Sequence, residues 1–199
     1  MIERGENWGT PTTRSLEDVQ VTGDIALSNS TPDRRLIVLG GDIAHSLGNP
    51  PCPLVGEECL EVRIDALHVV VTRRDGSTES RMAASSVVLG SWLRGRLIYV
   101  TNGGFVGMRN ISPRAHPNDG VLSVMSVDPS MSVQQRLQAR KKSRVGNHVP
   151  HPLISNSRAR IIEFDQLSGA ESLRIDGCRV RSWVKVQIEI LPDYWRLVV

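Results

Sequence analysis

The sequence has few cysteines, few aromatic residues and no long apolar run. Its three cysteines, Cys52, Cys59 and Cys178, form no C-x-x-C pair, which argues against a disulfide framework and against a common type of zinc site. No apolar stretch approaches the roughly 18 residues that a membrane-spanning helix needs. The N-terminal residues lack the apolar core of a secretory signal, so the expected location is cytoplasmic.

Aromatic residues make up 4% of the chain, and none interrupts its basic segment. A nucleic-acid surface that stacks bases on aromatic rings is therefore not expected. His148 and His151 lie near each other in a proline-rich loop, which is more typical of a solvated turn than of a metal site.

The positive charge of this chain is local. The net charge is only +3, yet residues 129–162 contain no acid. Within them, SVQQRLQARKKSR (132–144) predicts a helix with Ser132 as its N-cap and basic residues at its C-terminal end. Two interpretations stay open: a solvated helix face, or a surface for anionic membranes. The surface would consist of Arg136, Arg140, Lys141, Lys142 and Arg144.

Residues 1–33 are polar and show neither helical nor strand periodicity, which predicts a flexible lead-in. Residues 34–199 are predicted to form one domain. A short helix is expected at 42–47, and strand patterns follow from residue 60 onward, with Asp75-Gly76 as a hairpin turn. Single strands are expected within SRMAASSVVLG (80–90) and over RARIIEF (158–164). In VKVQIEI (184–190), alternate residues are apolar, so one strand face should lie in the core.

Many short strands separated by Gly, Pro and Asn turns favour a mainly β fold. The expected architecture is an antiparallel β-sandwich or barrel-like domain with one or two short helices. An alternating α/β fold is not indicated.

Four segments carry the features that could support chemistry. They are GGDIAHSLG (40–48), NGGFVGM (102–108), PRAHPNDGVL (113–122) and IDGC (175–178). Physically, the first is a glycine–aspartate helix start, where a carboxylate can hold a metal against a phosphate and free N–H groups can meet the anion. The second is a glycine-dense bulge, and the third is an Asn-Asp-Gly β-turn.

In this order, the four segments resemble the diacylglycerol kinase and sphingosine kinase family, which includes bacterial lipid kinases. The resemblance implies the fold of that family's second, lipid-facing β-rich domain. It places Gly40, Gly41 and Asp42 near the nucleotide. It also implies a structural magnesium ion held by Asp119 together with the carbonyls of neighbouring residues, here His116 and Val121.

The resemblance places the catalytic position at the IDGC segment. It marks Asp176, and it puts Cys178 where the family has the glutamate proposed to take the proton from the lipid hydroxyl. A thiol is a poor substitute for a carboxylate base. The glycine-rich nucleotide loop of the family is also not recognisable in the sequence.

These departures predict a lipid kinase-like chain that is inactive alone and would use ATP only if a separate nucleotide-binding domain were supplied. The alternative is a non-catalytic module that binds lipid or the inner membrane face as a peripheral protein. A homodimer that buries an exposed apolar patch is also expected.

Overall fold

A computed structural model describes residues 8–168 and 171–199. In chain order the elements are β1 Thr10–Thr13, β2 Val19–Thr22, α1 Gly23–Ser28, β3 Arg35–Leu39, α2 Gly41–Ser46, β4 Glu58–Arg73, β5 Thr78–Ala83, β6 Ser86–Gly90, β7 Leu97–Thr101, β8 Phe105–Val106, β9 Arg109–Asn110, β10 Leu122–Val127, α3 Val133–Lys142, β11 Ile154–Ala159, β12 Ile161–Asp165, β13 Leu173–Ile175, β14 Cys178–Val180 and β15 Trp183–Val198. A short 3-10 turn, Ser143–Val145, extends α3. The prediction of a mainly β fold is confirmed.

Two long strands organise the first sheet. β4 and β15 pair antiparallel along most of their length, and this central pair is flanked by β1 and β5 on one side and by β12, β3 and β2 on the other. Both strands are rich in β-branched residues, which suit a pleated, half-buried surface. β15 continues past Pro192 because the register with β4 shifts between Leu191 and Trp195, and such a bulge tolerates a residue without an N–H group.

The second sheet has the order β11-β10-β7-β6-β13-β14, with all neighbours antiparallel. Its inner face packs on the first sheet through a core that includes Val69, Val186 and Val100. Its outer face is also apolar, with Leu97, Met125 and Val127 buried there. Because strand side chains alternate between faces, β7 and β10 are apolar on both sides. α3 and the β8–β9 ribbon lie over this outer face. The sheets do not close into a barrel.

The prediction of a flexible lead-in is wrong for its described part, residues 8–33. β2 and β3 pair in parallel, α1 connects them, and β3 pairs in parallel with β15. Val21 and Leu27 are buried against Trp195 of β15. This tertiary contact outweighs the weak local periodicity. Residues 1–7, which belong to the same prediction, lie outside the described residues.

Two predicted single strands are each divided between the sheets. SRMAASSVVLG forms β5 in the first sheet and β6 in the second, with Ala84 and Ser85 between them. RARIIEF contains the end of β11 and most of β12, which also lie in different sheets, and Arg160 separates them. The Asp75-Gly76 hairpin, the helix near 42–47 and the helix that begins after Ser132 are confirmed.

Candidate functional site

A cleft of about 610 Å³ lies between the outer face of the second sheet, α3 and the β8–β9 ribbon. One wall is apolar and consists of Leu97, Ile111, Met125, Val127, Met131 and Ile154. Three aspartates, Asp24, Asp42 and Asp176, also line it. This space, which we call the outer cleft, therefore combines an apolar surface with a concentration of carboxylates.

Asp42 lies in the first turn of α2 and joins that helix to the ribbon. One carboxylate oxygen accepts the N–H of Gly107 and the other accepts the N–H of Met108, each at 2.8 Å. Both oxygens of the Asp42 carboxylate therefore already accept a backbone N–H group. That Gly40, Gly41 and Asp42 lie near a nucleotide stays a prediction.

Asp24, at the start of α1, was missed by the sequence-based reasoning. Its carboxylate accepts the N–H groups of Asp42 and Ile43 at 2.8 and 3.0 Å. The expectation that the first N–H groups of α2 are free for an anion is therefore wrong, because Asp24 binds them. Burial raises the pKa of the Asp24 carboxyl, the two hydrogen bonds oppose that rise, and the charges of Asp42 and Asp176 add to it.

A signal for Asp24 does exist in the sequence. GDIALS at 23–28 and GDIAHS at 41–46 differ at a single position, and each follows a short strand. The two segments form α1 and α2, so the repeat marks two successive strand-to-helix units whose aspartates meet at one edge of the sheet.

Asp176 occupies the turn between β13 and β14 and has a positive φ of 45°. Its carboxylate accepts the N–H groups of Ala84, Ser85 and Ser86 at 2.7, 2.9 and 3.0 Å and the hydroxyl of Ser85 at 2.9 Å. The aspartate therefore fixes the crossing of the chain from β5 to β6. Cys178 is exposed and begins β14 beside the cleft.

Trp8 packs edge-on against His116, two residues before the Asn-Asp-Gly turn, with 4.5 Å between the ring centroids. Asp119 Oδ1 accepts the N–H of Val121 at 3.3 Å, and Oδ2 lies 3.8 Å from the guanidinium of Arg158. Burial raises the pKa of the Asp119 carboxyl, with the Val121 N–H and Arg158 opposing the rise.

The residues of this turn fit a magnesium ion held by one carboxylate, backbone carbonyls and water. The Arg158 side chain is 55% exposed, and its Nη2 donates to the carbonyl of Arg114 at 3.0 Å. Among residues 8–168 and 171–199, however, no three His, Cys, Asp or Glu side chains are grouped as a metal site.

The basic helix α3 presents only part of its predicted surface. Arg136 is buried, and its guanidinium donates to the carbonyls of Met131, Ser91, Gly95 and Asp128. It therefore cannot join a membrane-facing patch, and that part of the prediction is wrong. The other four basic residues, Arg140, Lys141, Lys142 and Arg144, are exposed.

His148 is buried and lines the outer cleft, contrary to the expectation of a solvated turn. Its Nε2 lies 3.1 Å from the carbonyl of Ile111, and burial lowers the pKa of the imidazole. Its Nδ1 is buried and has no hydrogen-bond partner among the described residues. A neutral, polar ring is thus built into an otherwise apolar wall.

Comparison with known proteins gives matches in both sequence and structure. The model of the family described as "YegS C-terminal NAD kinase beta sandwich-like domain" matches residues 75–199. No curated protein matches the chain in sequence. A diacylglycerol kinase from Bacillus anthracis str. Sterne is similar in structure, with a TM-score of 0.55 and 15% identity over 91% of this chain and 75% of that one. Yeast NADH kinase, solved with NADH, gives a TM-score of 0.53 and 12% identity over 92% of this chain and 61% of the kinase.

Over the described part of the chain, no helix is both long enough and apolar enough to span a membrane.

Proposed function

The chain belongs to the family of YegS C-terminal NAD kinase beta sandwich-like domains, and on that premise we propose that it is a lipid kinase-like protein that cannot phosphorylate its lipid alone. The observation that carries this proposal is the outer cleft, where an apolar wall and three aspartates face the same space. Apolar walls with a few well-placed polar groups are typical of small-molecule sites, and an acyl chain has the matching chemistry.

The proposed inactivity follows from the bonds that the acidic groups already make. Phosphoryl transfer depends on positioning and on neutralising charge around the phosphates. Here Asp24 takes the N–H groups at the start of α2, and Asp176 accepts four hydrogen bonds. Cys178 has a thiol at the position where the diacylglycerol kinase and sphingosine kinase family, which the sequence resembles, has a glutamate. A nucleotide-binding domain in addition to the residues described would have to supply ATP and the missing charge.

A non-catalytic lipid- or membrane-binding module is the second candidate, and the surface around α3 favours it. Met108 and Val145 are 68% and 70% exposed, and the ribbon and the 3-10 turn that carry them are in contact. Arg140, Lys141 and Arg144 lie within five residues of Val145 in sequence. Each basic residue near an anionic membrane contributes about 1 kcal/mol, so this edge of the protein is suited to docking at the inner membrane face.

The homodimer expected from the sequence is tested by sedimentation at micromolar concentration, where a clean monomer would contradict it.

Calorimetric titration with dioctanoylglycerol, below the concentration at which it aggregates, tests the lipid half of the proposal. Ala139 lines the cleft from α3, whereas its neighbour Gln138 is exposed and does not. Ala139→Trp should fill the cleft and remove the binding signal, while Gln138→Trp should bind as the wild type does. No binding by the wild type, or equal binding by both variants, would contradict a lipid-binding cleft.

Incubation with magnesium and radiolabelled ATP tests the catalytic half. We expect no transfer of phosphate to dioctanoylglycerol by the purified chain. Transfer at a rate proportional to protein concentration would overturn the inactivity and leave the lipid-binding half in place.

A further inference from the structure

The outer cleft has a basic side as well as an acidic one. Arg109 begins β9, and Arg140 lies in the last turn of α3; both line the cleft. Arg109 Nη1 donates to the backbone carbonyl of Arg140 at 2.7 Å, which fixes the two residues near each other. The Arg140 guanidinium lies over the Trp92 ring, 4.2 Å from its centre. Two guanidinium groups are thus held in place at one wall.

No carboxylate among the described residues neutralises this pair. Neither guanidinium takes part in an ion pair there, although Arg109 is half-buried. Burial lowers the pKa of Arg109, and the charges of Arg140 and Arg144 lower it further, with only Tyr99 acting in the opposite sense. Three like charges that converge without a counter-charge leave room for an anion, and the planar guanidinium suits phosphate oxygens.

The basic pair lies close to the acidic groups along the chain. Asp42 binds the N–H groups of Gly107 and Met108, and Arg109 is the next residue. The cleft therefore holds carboxylates and guanidinium groups in the same lining, and Asp42 lies next to the segment that carries Arg109. A neutral hydrocarbon would use the apolar wall and leave the two guanidinium groups without a counter-charge.

We infer that the outer cleft selects an amphiphile with an anionic, phosphate-type group, which Arg109 and Arg140 bind while its apolar chain lies along the Met125–Val127 wall. This inference rests on the proposed function of the cleft and adds to it a preference for anionic over neutral lipids. Tyr99, which also lines the cleft, is a further hydrogen-bond donor to the same group.

The test compares three probes by calorimetry: octyl phosphate, octyl glucoside and inorganic phosphate, each below any aggregation limit. The wild type should bind octyl phosphate at least about ten-fold more tightly than octyl glucoside. This ratio corresponds to the lower end of the free energy that one hydrogen bond to a charged group contributes. Inorganic phosphate should bind far more weakly, because it lacks the apolar chain. Affinity of free phosphate equal to that of octyl phosphate would overturn the inference of an amphiphile.

Variants assign the preference to the two arginines. Arg109→Gln and Arg140→Gln should each reduce the preference for octyl phosphate to about two-fold or less, because each removes one guanidinium from the pair. Arg140→Lys, which keeps the charge, should retain a clear preference and shows that a loss is not due to misfolding. Lys142→Gln is the matched control, since Lys142 is exposed on α3 and does not line the cleft.

The proposed anion site, formed by Arg109 and Arg140, and the proposed lipid-binding cleft can be refuted separately. Equal binding of octyl phosphate and octyl glucoside would overturn the anion site and leave the lipid-binding cleft standing. An equal loss of preference in Lys142→Gln and Arg140→Gln would show general surface attraction and would also overturn the anion site. Binding of neither amphiphile would overturn the proposed function itself.

Discussion

Asp65 should make the stability of the protein fall as the pH rises from 5 to 8. The residue is fully buried at the centre of β4, and its carboxylate accepts the N–H groups of Gly120 and Asp193 at 2.8 and 3.0 Å. Burial raises the pKa of Asp65 from 3.8 to about 6, against those two hydrogen bonds. The native state therefore holds a proton that the unfolded chain has already lost over this pH range.

The size of the effect follows from linkage. With a pKa of 3.8 unfolded and about 6 folded, the full difference between acid and neutral pH is about 3 kcal/mol, and about 1.4 kcal/mol of it lies between pH 5 and pH 8. Carboxyls with lowered pKa values, such as Glu61, act in the opposite direction. The measurable quantity is therefore the difference between the wild type and Asp65→Asn, which cannot ionise.

Urea unfolding at pH 5, 6, 7 and 8 provides the assay. Relative to Asp65→Asn, the wild type should lose about 1.4 kcal/mol of unfolding free energy between pH 5 and pH 8. Asp165→Asn, which removes an exposed carboxylate, should keep the wild-type slope. Identical slopes for the wild type and Asp65→Asn would refute the reasoning, because the two N–H groups would then outweigh the cost of burial.

Three further predictions concern Asp176, Gly90 and the turn that carries Asp119. Asp176→Ala should lower the unfolding free energy by about 3 kcal/mol in urea titration, since three backbone N–H groups lose an acceptor; a loss below about 1 kcal/mol would mean that water replaces it. Gly90→Ala should destabilise by more than about 2 kcal/mol, because φ is +83° and a Cβ would collide with the Arg96 carbonyl, and Gly95→Ala, where no atom lies within 4 Å, is the comparison for strain alone. Magnesium should raise the melting temperature of the wild type and not of Asp119→Asn; an equal rise in both would place any bound ion elsewhere.

Much of the fold could be predicted because its signals are local. Alternation over residues 184–190 fixes which face of β15 is buried, and Asp75-Gly76 fixes a hairpin. Ser132 and Gln135 form the capping box that begins α3. Each of these depends on residues within a few positions of one another.

The features of the fold that could not be predicted depend on contacts between residues far apart in sequence. The chain crosses between sheets at Ala84 and Ser85 because Asp176, about ninety residues later, binds their N–H groups. The first described elements form because β2 pairs in parallel with β3, which no local pattern in residues 1–33 indicates. The sequence feature that does mark these elements is the repeat of GDIA at 23–26 and 41–44, which begins both α1 and α2.

The candidate site shows the same division. Asp42, Asp176 and Arg140 were recognisable from motifs and charge, and all three line the outer cleft. Arg109 and His148 reach it only through tertiary packing, and Arg136 leaves the surface because loop carbonyls surround it. Charge patterns therefore identify a basic region but not which of its members face a ligand.

Methionine-methyl NMR tests the central claim most directly. Met125 and Met131 line the outer cleft, Met108 is exposed in the ribbon, and Met82 packs against the core beside α1 and α2. Titration with dioctanoylglycerol should shift the methyl signals of Met125 and Met131 together, in a saturable manner, and leave Met82 unchanged. Shifts confined to Met108, or no shifts at all, would contradict a cleft that holds lipid.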